Sequence, residues 1–355
     1  MNANLTIRLS ALAVAIAAAP PNTLRDAAQP SGILIGAAAR PAELSEPAYA
    51  ATLAREFSML EPEDALKWDT LRPDPQSFDF YQADQLVDFA TRHNMKVRGH
   101  TLVWHRQLPD WITHGGFTPS QLSTLLELHI KTVIAHYKGK IFAWDVANEA
   151  FDEGPRTGQL RSTLWYDQPG IGYAGQGSAY LAQCFRWAHE ADPRALLFYN
   201  EAEADKLNKK SDAVYAMVRD FKLRGVPIDG VGLQMHLGGT PPDISSISAN
   251  IARFTALGVQ VHITEMDVSL AVDANGNANL ADLQMQANIY RQIAQACLAH
   301  PGCTAIQTWG FTDKYSWIGS HSKKTRGAAL LFDRNYQPKP AYQTLRDVLT
   351  QAKSR

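Results

Sequence analysis

Residues 118–150, TPSQLSTLLELHIKTVIAHYKGKIFAWDVANEA, run an amphipathic helix almost directly into an apolar strand. Leu122, Leu126, Ile130, Val133 and Tyr137 recur at helical spacing, with Thr118 as candidate N-cap and Gly139 as candidate stop. The run 142–150 that follows, FAWDVANEA, is apolar until it closes on an amide and a carboxylate, Asn148 and Glu149. The same alternation recurs along the chain. Candidate strands are 33–39, 56–62, 96–104, 142–150, 195–201, 231–237, 259–268 and 305–313, and helical patterns such as 81–94 and 281–300 lie between them. Strands separated by helices pair in parallel. Eight such units predict an α/β chain closed into a (β/α)8 TIM barrel, in one domain, rather than an open doubly wound sheet.

Composition agrees with one large folded unit. The 355 residues are 45% hydrophobic and 19% charged, enough to bury a substantial core. The formal net charge of −1 leaves no basic surplus for phosphates, which argues against nucleic acid as a partner. Residues 1–22 place Arg8 ahead of an Ala/Val/Ile/Leu stretch that stops at Pro20 and Pro21, the pattern of a signal peptide and too short for a membrane span. An exported protein, periplasmic or extracellular, is expected, with the segment PPNTLRDAAQPSG as a spacer and the catalytic domain at 31–353. Cys297 and Cys303 flank LAHPG and could bridge in an oxidising compartment; Cys184 falls inside a helical pattern, as a buried thiol would. Three cysteines without a C-x-x-C spacing make no zinc site, and no metal is expected.

Common catalytic signatures are missing. GIGYAG at 170–175 fits G-x-G-x-x-G but follows no strand, and there is no P-loop, G-x-S-x-G or H-E-x-x-H. Polar and aromatic residues gather instead at the C-terminal ends of the expected strands, where a barrel carries its active site. Strand 2 is followed by Glu63, Asp64, Lys67 and Trp68, and strand 3 by His100, Trp104, His105 and Gln107. Strand 4 ends in Asn148 and Glu149, strand 6 brings Gln234 and His236, strand 7 Glu265 and Asp267, and strand 8 Trp309, Asp313 and Trp317.

One tryptophan at a strand end is ordinary packing, and one strand histidine is ordinarily satisfied by hydrogen bonds. Two carboxylates on opposite strands amid tryptophans, amides and cations fit the cleavage of a glycosidic bond. That reaction needs one carboxylic acid to protonate the leaving oxygen and a second carboxylate to attack or to activate water. Sugars, for their part, pack flat C–H faces on aromatic rings and demand polar partners for their hydroxyls. Strands 4 and 7 face each other across a barrel mouth, so Glu149 and Glu265 form the expected pair. Two close carboxylates disfavour double ionisation, and Glu265 is the expected ionised member. His236 could reach and orient Glu265, and Asn148 could hydrogen-bond the 2-hydroxyl of the reacting sugar.

These segments resemble the family 10 glycoside hydrolases, the endo-β-1,4-xylanases of a large group of (β/α)8 glycosidases. EPEDALKW, VRGHTLVWHRQLPDW, WDVANEAFDEG, VPIDGVGLQMHL, VHITEMDV and TWGFTDKYSWI are similar to six family motifs in the family's order. The resemblance implies a retaining double displacement with Glu149 as acid/base and Glu265 as nucleophile. It implies that Glu63, Asp64, Lys67, His100, Trp104, Gln107, Asn148, Gln234, His236, Trp309 and Trp317 bind substrate, with His236 and Asp267 as orienting residues. Xylan and xylo-oligosaccharides are the implied partners, the chain acting as a monomer with no cofactor. The family often carries a disulfide where Cys297 and Cys303 fall. A sister activity, endoglucanase or mannanase, and a non-catalytic xylan-binding barrel are the alternatives. Two departures stand out. Asp64 replaces a usual asparagine, and Ala202 and Glu203 in NEAEAD stand where an aromatic and an asparagine are usual, a change expected to weaken the first leaving-side subsite by roughly 0.5–1.5 kcal/mol.

Overall fold

The computed structural model describes residues 22–352, so all but the last residue of the expected signal segment lies outside the described residues. Thr118 starts the helix Pro119–His136 as its sequence implies. The Gln121 N–H donates to its hydroxyl while the Gln121 side chain accepts from the Thr118 N–H, a reciprocal cap that satisfies two otherwise orphaned donors. The helix ends three residues before Gly139, whose φ of 78° belongs to the turn into the next strand.

Eight such passages close a barrel. Its strands are β1 (Leu34–Ala39), β2 (Met59–Pro62), β3 (Lys96–Gly99), β4 (Ile141–Asn148), β5 (Leu196–Glu201), β6 (Gly230–Leu233), β7 (Gln260–Ala271) and β8 (Cys303–Thr308). Each pairs in parallel with its sequence neighbours, and β8 returns to β1 through Leu34 opposite Ala305 and Ile35 opposite Ile306. This is a (β/α)8 barrel in a single domain. Between strands run the long helices, among them Tyr81–Arg92, Ala179–Ala191, Lys209–Leu223 and Leu280–Leu298. Their apolar faces bury Leu86, Phe185, Phe221 and Ile289 against the sheet.

Several boundaries differ from the sequence expectation. The strand expected over 96–104 stops at Gly99, because the apolar residues after it pack as a loop whose Leu102 N–H donates to the Asp145 carbonyl at 3.1 Å. The expected strand 231–237 is broken at Met235, which takes a left-handed φ of 63°. Its last part re-pairs as His236–Gly238 against Asp267–Ser269 of β7, and β7 extends to Ala271 to accommodate this small extra sheet. Residues 56 and 57 lie at the end of the preceding helix instead of in β2.

The expected spacer is also part of the barrel. Thr23 caps a short helix, Leu24–Ala28, whose Leu24, Ala27 and Ala28 are buried. The Leu24 N–H and the Tyr342 hydroxyl, the latter on the C-terminal helix Pro340–Gln351, both donate to Glu56 Oε2. Both ends of the described chain are thereby fastened to one side chain.

Cys297 and Cys303 form a disulfide between the last turn of Leu280–Leu298 and the first residue of β8, and Cys184 is a buried free thiol. A sequence separation of 6 closes only a short loop, so chain entropy sets a modest contribution of about 2 kcal/mol. The Cys297→Ser/Cys303→Ser double variant should lose about that much in urea unfolding while keeping its far-ultraviolet circular dichroism; a loss near zero would show that the bridge leaves the unfolded ensemble unrestricted.

Candidate active site

The barrel interior is ionic beneath the mouth. Arg98, from β3, is fully buried between Asp145 of β4, which it grips with both terminal nitrogens, and Glu61 of β2, 3.1 Å away. His100 Nδ1 lies 2.9 Å from Asp145 Oδ2, and Gln307 of β8 donates to Glu61 at 2.6 Å. Burial pushes Glu61 up to about 7, against the pull of Arg98 and His100. Burial opposes charge on His100 too, yet Asp145 and Glu61 outweigh it and raise its pKa. Glu61, His100 and Asp145 are the one group among the described residues offering three ligand atoms within 4.8 Å of one another. The Arg98 guanidinium already bridges the two carboxylates, so the cluster is a closed ion network rather than a metal site.

One layer higher, Glu149 and Glu265 face the cleft, joined by a chain of amides. Gln234 Nε2 donates to Glu149 Oε1 at 3.0 Å and to Asn148 Oδ1 at 3.2 Å. Asn200 Nδ2, on β5, donates to the same Asn148 oxygen at 2.9 Å and to Glu265 Oε1 at 2.6 Å. Thr264 Oγ1 donates to Asn200 Oδ1 at 2.7 Å, and the Glu265 carboxylate, which can only accept, requires the Asn200 NH2 on its own side. Asn148 therefore accepts twice through its oxygen and has its NH2 left to offer. Glu149 itself leaves the strand with φ 53°, a left-handed conformation that costs a non-glycine residue about 1–2 kcal/mol and turns its side chain away from the ladder.

Each carboxylate has its own second support. Trp104 Nε1 donates to Glu149 Oε2 at 2.9 Å. Burial alone would raise Glu149, but the Gln234 and Trp104 donors outweigh it and hold the free acid below the ordinary range. Hydrogen bonds to the Glu149 anion thus exceed its desolvation and work against a proton resting there. His236 Nε2 lies 3.1 Å from Glu265 Oε2, and its Nδ1 lies 2.9 Å from Asp267 Oδ2, which also accepts from Trp317 Nε1 at 2.9 Å. Burial disfavours the imidazolium, yet Asp267 and Glu265 carry its pKa well above the usual 6.5. The expected reach of His236 to Glu265 is present, with Asp267 behind it.

The wall on the β1–β3 side is a charge chain. Lys67 Nζ sits 4.9 Å from the Trp104 ring centroid and 5.6 Å from that of Trp309, and binds Asp64 at 3.1 Å. Arg40 contacts both Glu63 and Asp64, and Gln107 Nε2 donates weakly to Asp64 at 3.4 Å. Burial resists ionisation of Asp64, but Lys67 and Arg40 overcome it and keep the carboxylate charged. Glu63, more deeply buried, is pushed up to about 7. On the opposite side a cavity of about 610 Å3 opens between Gly154, Thr157, Glu203, Asn208 and Leu237, and Ala202 and Glu203 supply no ring there.

Two of the rim residues read from the sequence lie elsewhere. Trp68 is buried, stacked on His129 at 3.7 Å and donating to the Leu102 carbonyl. Asp313 is sealed in an ion pair with Lys339 at 2.9 Å. His105 stays beside the pair, lining a small cavity with Trp104, Asn148 and Glu149, and burial, aided by Arg161, pushes its pKa down to about 4. Conversely, Asn200, Thr264, Arg98, Glu61, Asp145 and Arg40 escaped the sequence reading. Asn200 had a signal, a lone amide within the apolar run LLFYNE, but nothing in the sequence shows which face of the strand it occupies.

Comparison with known proteins agrees with this geometry. The profile of glycosyl hydrolase family 10 matches residues 23–348. Endo-1,4-beta-xylanase B of Thermotoga neapolitana is 41% identical over 301 residues, covering 85% of this chain and 83% of that protein. Xylanase 10B of Thermotoga petrophila RKU-1, solved in complex with xylobiose, superposes with a TM-score of 0.87 at 42% identity, over 94% of this chain and 98% of that one. Native xylanase 10B of Thermotoga maritima gives 0.86 at 42% identity, over 92% and 98%.

An imidazolium that holds its proton above the usual value of 6.5 contributes stability that is complete below that pH and is lost as pH rises through the raised native value. Thermal melts on the alkaline side should therefore show the melting temperature falling with pH, and Asp267→Asn should shorten that fall by returning His236 toward its usual value. Identical slopes for the two proteins would mean that His236 enters the fold uncharged.

Proposed function

Because the chain belongs to glycosyl hydrolase family 10 and is a glycoside hydrolase, an endo-1,4-β-xylanase, we propose that it cuts internal xylosidic bonds with retention of configuration, Glu149 serving as acid/base and Glu265 as nucleophile. The amide chain Gln234–Asn148–Asn200 is the observation that carries this reading. It ties the two carboxylates, from opposite sides of the mouth, into one fixed arrangement without adding charge between them.

In the first step a Glu265 oxygen bonds to the anomeric carbon as the glycosidic C–O bond breaks, and Glu149 gives its proton to the departing oxygen. In the second, Glu149 takes a proton from water as the water oxygen attacks the same carbon and the bond to Glu265 breaks. Asn200 and His236 occupy one lone pair on each Glu265 oxygen and so aim the carboxylate. For the first step Glu149 must gain a proton that the Gln234 and Trp104 donors disfavour. A bound sugar chain supplies the means, excluding water and competing with Gln234 and Trp104 for the carboxylate oxygens. The free NH2 of Asn148 faces the reacting sugar, and the Lys67, Trp104 and Trp309 wall holds the sugars on the non-reducing side.

The Asp64 and Ala202/Glu203 departures shape the ends of the cleft. A carboxylate at 64 accepts from sugar hydroxyls but cannot donate, and an open leaving side favours longer or substituted chains. An exported enzyme is the accompanying proposal, supported by residues 1–22 and by the disulfide, which suits an oxidising compartment.

Sizing the products from xylan, carboxymethylcellulose and mannan tests the substrate; oligomers from xylan alone are expected, and equal cleavage of cellulose would sink the reading. The mechanism is tested with two variants. Glu265→Ala should lose hydrolysis and regain part of it with azide, giving a glycosyl azide of inverted configuration. Glu149→Ala should slow substrates with poor leaving groups at least about 100-fold more than activated aryl glycosides, since only the former need protonation. Equal losses on both would remove Glu149 as the acid.

A further inference from the structure

Beyond Trp317 the segment IGSHSKKTRG at 318–327 makes a helical turn, Ile318–His321, and ends in Arg326–Gly327 paired antiparallel with Leu270 and Ala271; it carries four basic residues and no acidic one. His321, Lys323 and Lys324 are exposed and Arg326 is half-buried. Three cations around the mouth are matched, Lys67 by Asp64, Arg161 by Asp152 and Lys210 by Glu201. Lys323, Lys324 and Arg326 have no ion-pair partner among the described residues.

Arg326 is anchored from one side only. Its Nε donates to Ser269 Oγ at 3.0 Å and its Nη2 to the Ser269 carbonyl, which leaves Nη1 and one Nη2 hydrogen unclaimed. The guanidinium lies across Gly238, where a Cβ would stand 3.6 Å from Nη2, two residues beyond His236. It lines a cavity of about 500 Å3 together with His236, Asp267, Ser269, Met285 and Trp317, a volume within the roughly 300–1,000 Å3 usual for small-molecule sites. The cavity thus opens directly beside the residues that hold Glu265. Two carboxylates face it. Asp267 is already engaged by His236 and Trp317, and Asp282 accepts from the Asn279 side chain at a helix start.

We propose that this cavity is an accessory subsite for a carboxylate-bearing sugar branch, a hexuronate, on the polysaccharide being cut. The inference rests on the xylanase reading and adds to it a preference among decorated chains. A planar guanidinium with a free edge suits bidentate pairing with a carboxylate, and Gly238 leaves room for the approach. Lys323 and Lys324, exposed three and two residues before Arg326, add positive charge to the same segment, so that acidic branches are attracted and neutral ones are indifferent to it.

The test compares kcat/KM for an unbranched xylo-oligosaccharide and for the same oligosaccharide carrying one glucuronosyl branch, at low and high salt. Arg326→Gln should lower the value for the branched substrate about tenfold, the worth of one charge-assisted hydrogen bond, and leave the unbranched value unchanged. Lys323→Gln/Lys324→Gln, which touches only exposed side chains, should lower the branched value less and weaken its salt dependence. A branched-to-unbranched ratio that neither variant moves, or an equal loss on both substrates with Arg326→Gln, would overturn the subsite. Failure of the wild-type protein to cut the unbranched oligosaccharide would overturn the xylanase reading instead.

Discussion

A single guanidinium in the middle of the barrel governs much of what surrounds it. Arg98 is fully buried on β3, and a charge there would cost several kcal/mol if left alone. Carboxylates from the strands on either side, Glu61 and Asp145, make it tolerable. Removing Arg98 would leave two buried carboxylates without their cation, at a cost of about 3–5 kcal/mol. The cluster therefore fixes the mutual register of β2, β3 and β4 more sharply than the layers of branched aliphatic residues usual in such barrels. Gln307 extends the constraint to β8, and His100 takes its orientation from the same Asp145 oxygen that receives Arg98.

Above this floor the chemistry changes from ions to amides. Asn148, Asn200 and Gln234 are neutral, so they can hold two carboxylates without biasing either toward a full counter-charge. Each amide has one oxygen and one nitrogen, and because the carboxylates at the two ends only accept, the NH2 groups of Asn200 and Gln234 face them and both reach the Asn148 oxygen. Gly232 is part of the same device, since a Cβ at that position would run into the Asn200 side chain and Thr264. The arrangement is rigid because its members come from β4, β5, β6 and β7 and are packed from below.

The rim shows the same accounting of charge. Asp64 stands between Arg40 and Lys67; an amide there would leave Arg40 with Glu63, whose ionisation burial resists, and Lys67 with no ion-pair partner among the described residues. Its presence is electrostatically coherent with Arg40 rather than an isolated loss of a donor. Lys323, Lys324 and Arg326 have no such ion-pair compensation among the described residues.

The sequence by itself determined the class of fold and the main actors. The 3.6-residue period of 118–137, the cap at Thr118 and eight recurring apolar runs specify βα units, because these signals are local and each survives in the folded chain. Glu149, Glu265, Asn148, Gln234, His236, Lys67, Trp104 and Trp309 were legible as polar or aromatic residues at the ends of those runs. Tertiary structure decided the rest. Whether Trp68 or Trp104 meets the cleft depends on which way a loop turns after Gly99. Asn200 and Arg98 act only through partners distant in sequence, 148 and 265 for the one, 61 and 145 for the other. The protonation preference of Glu149 rests on donors contributed by two other strands' loops. Periodicity is a property of neighbouring residues, whereas the direction of a side chain and the balance of burial against hydrogen bonding exist only once the barrel has closed.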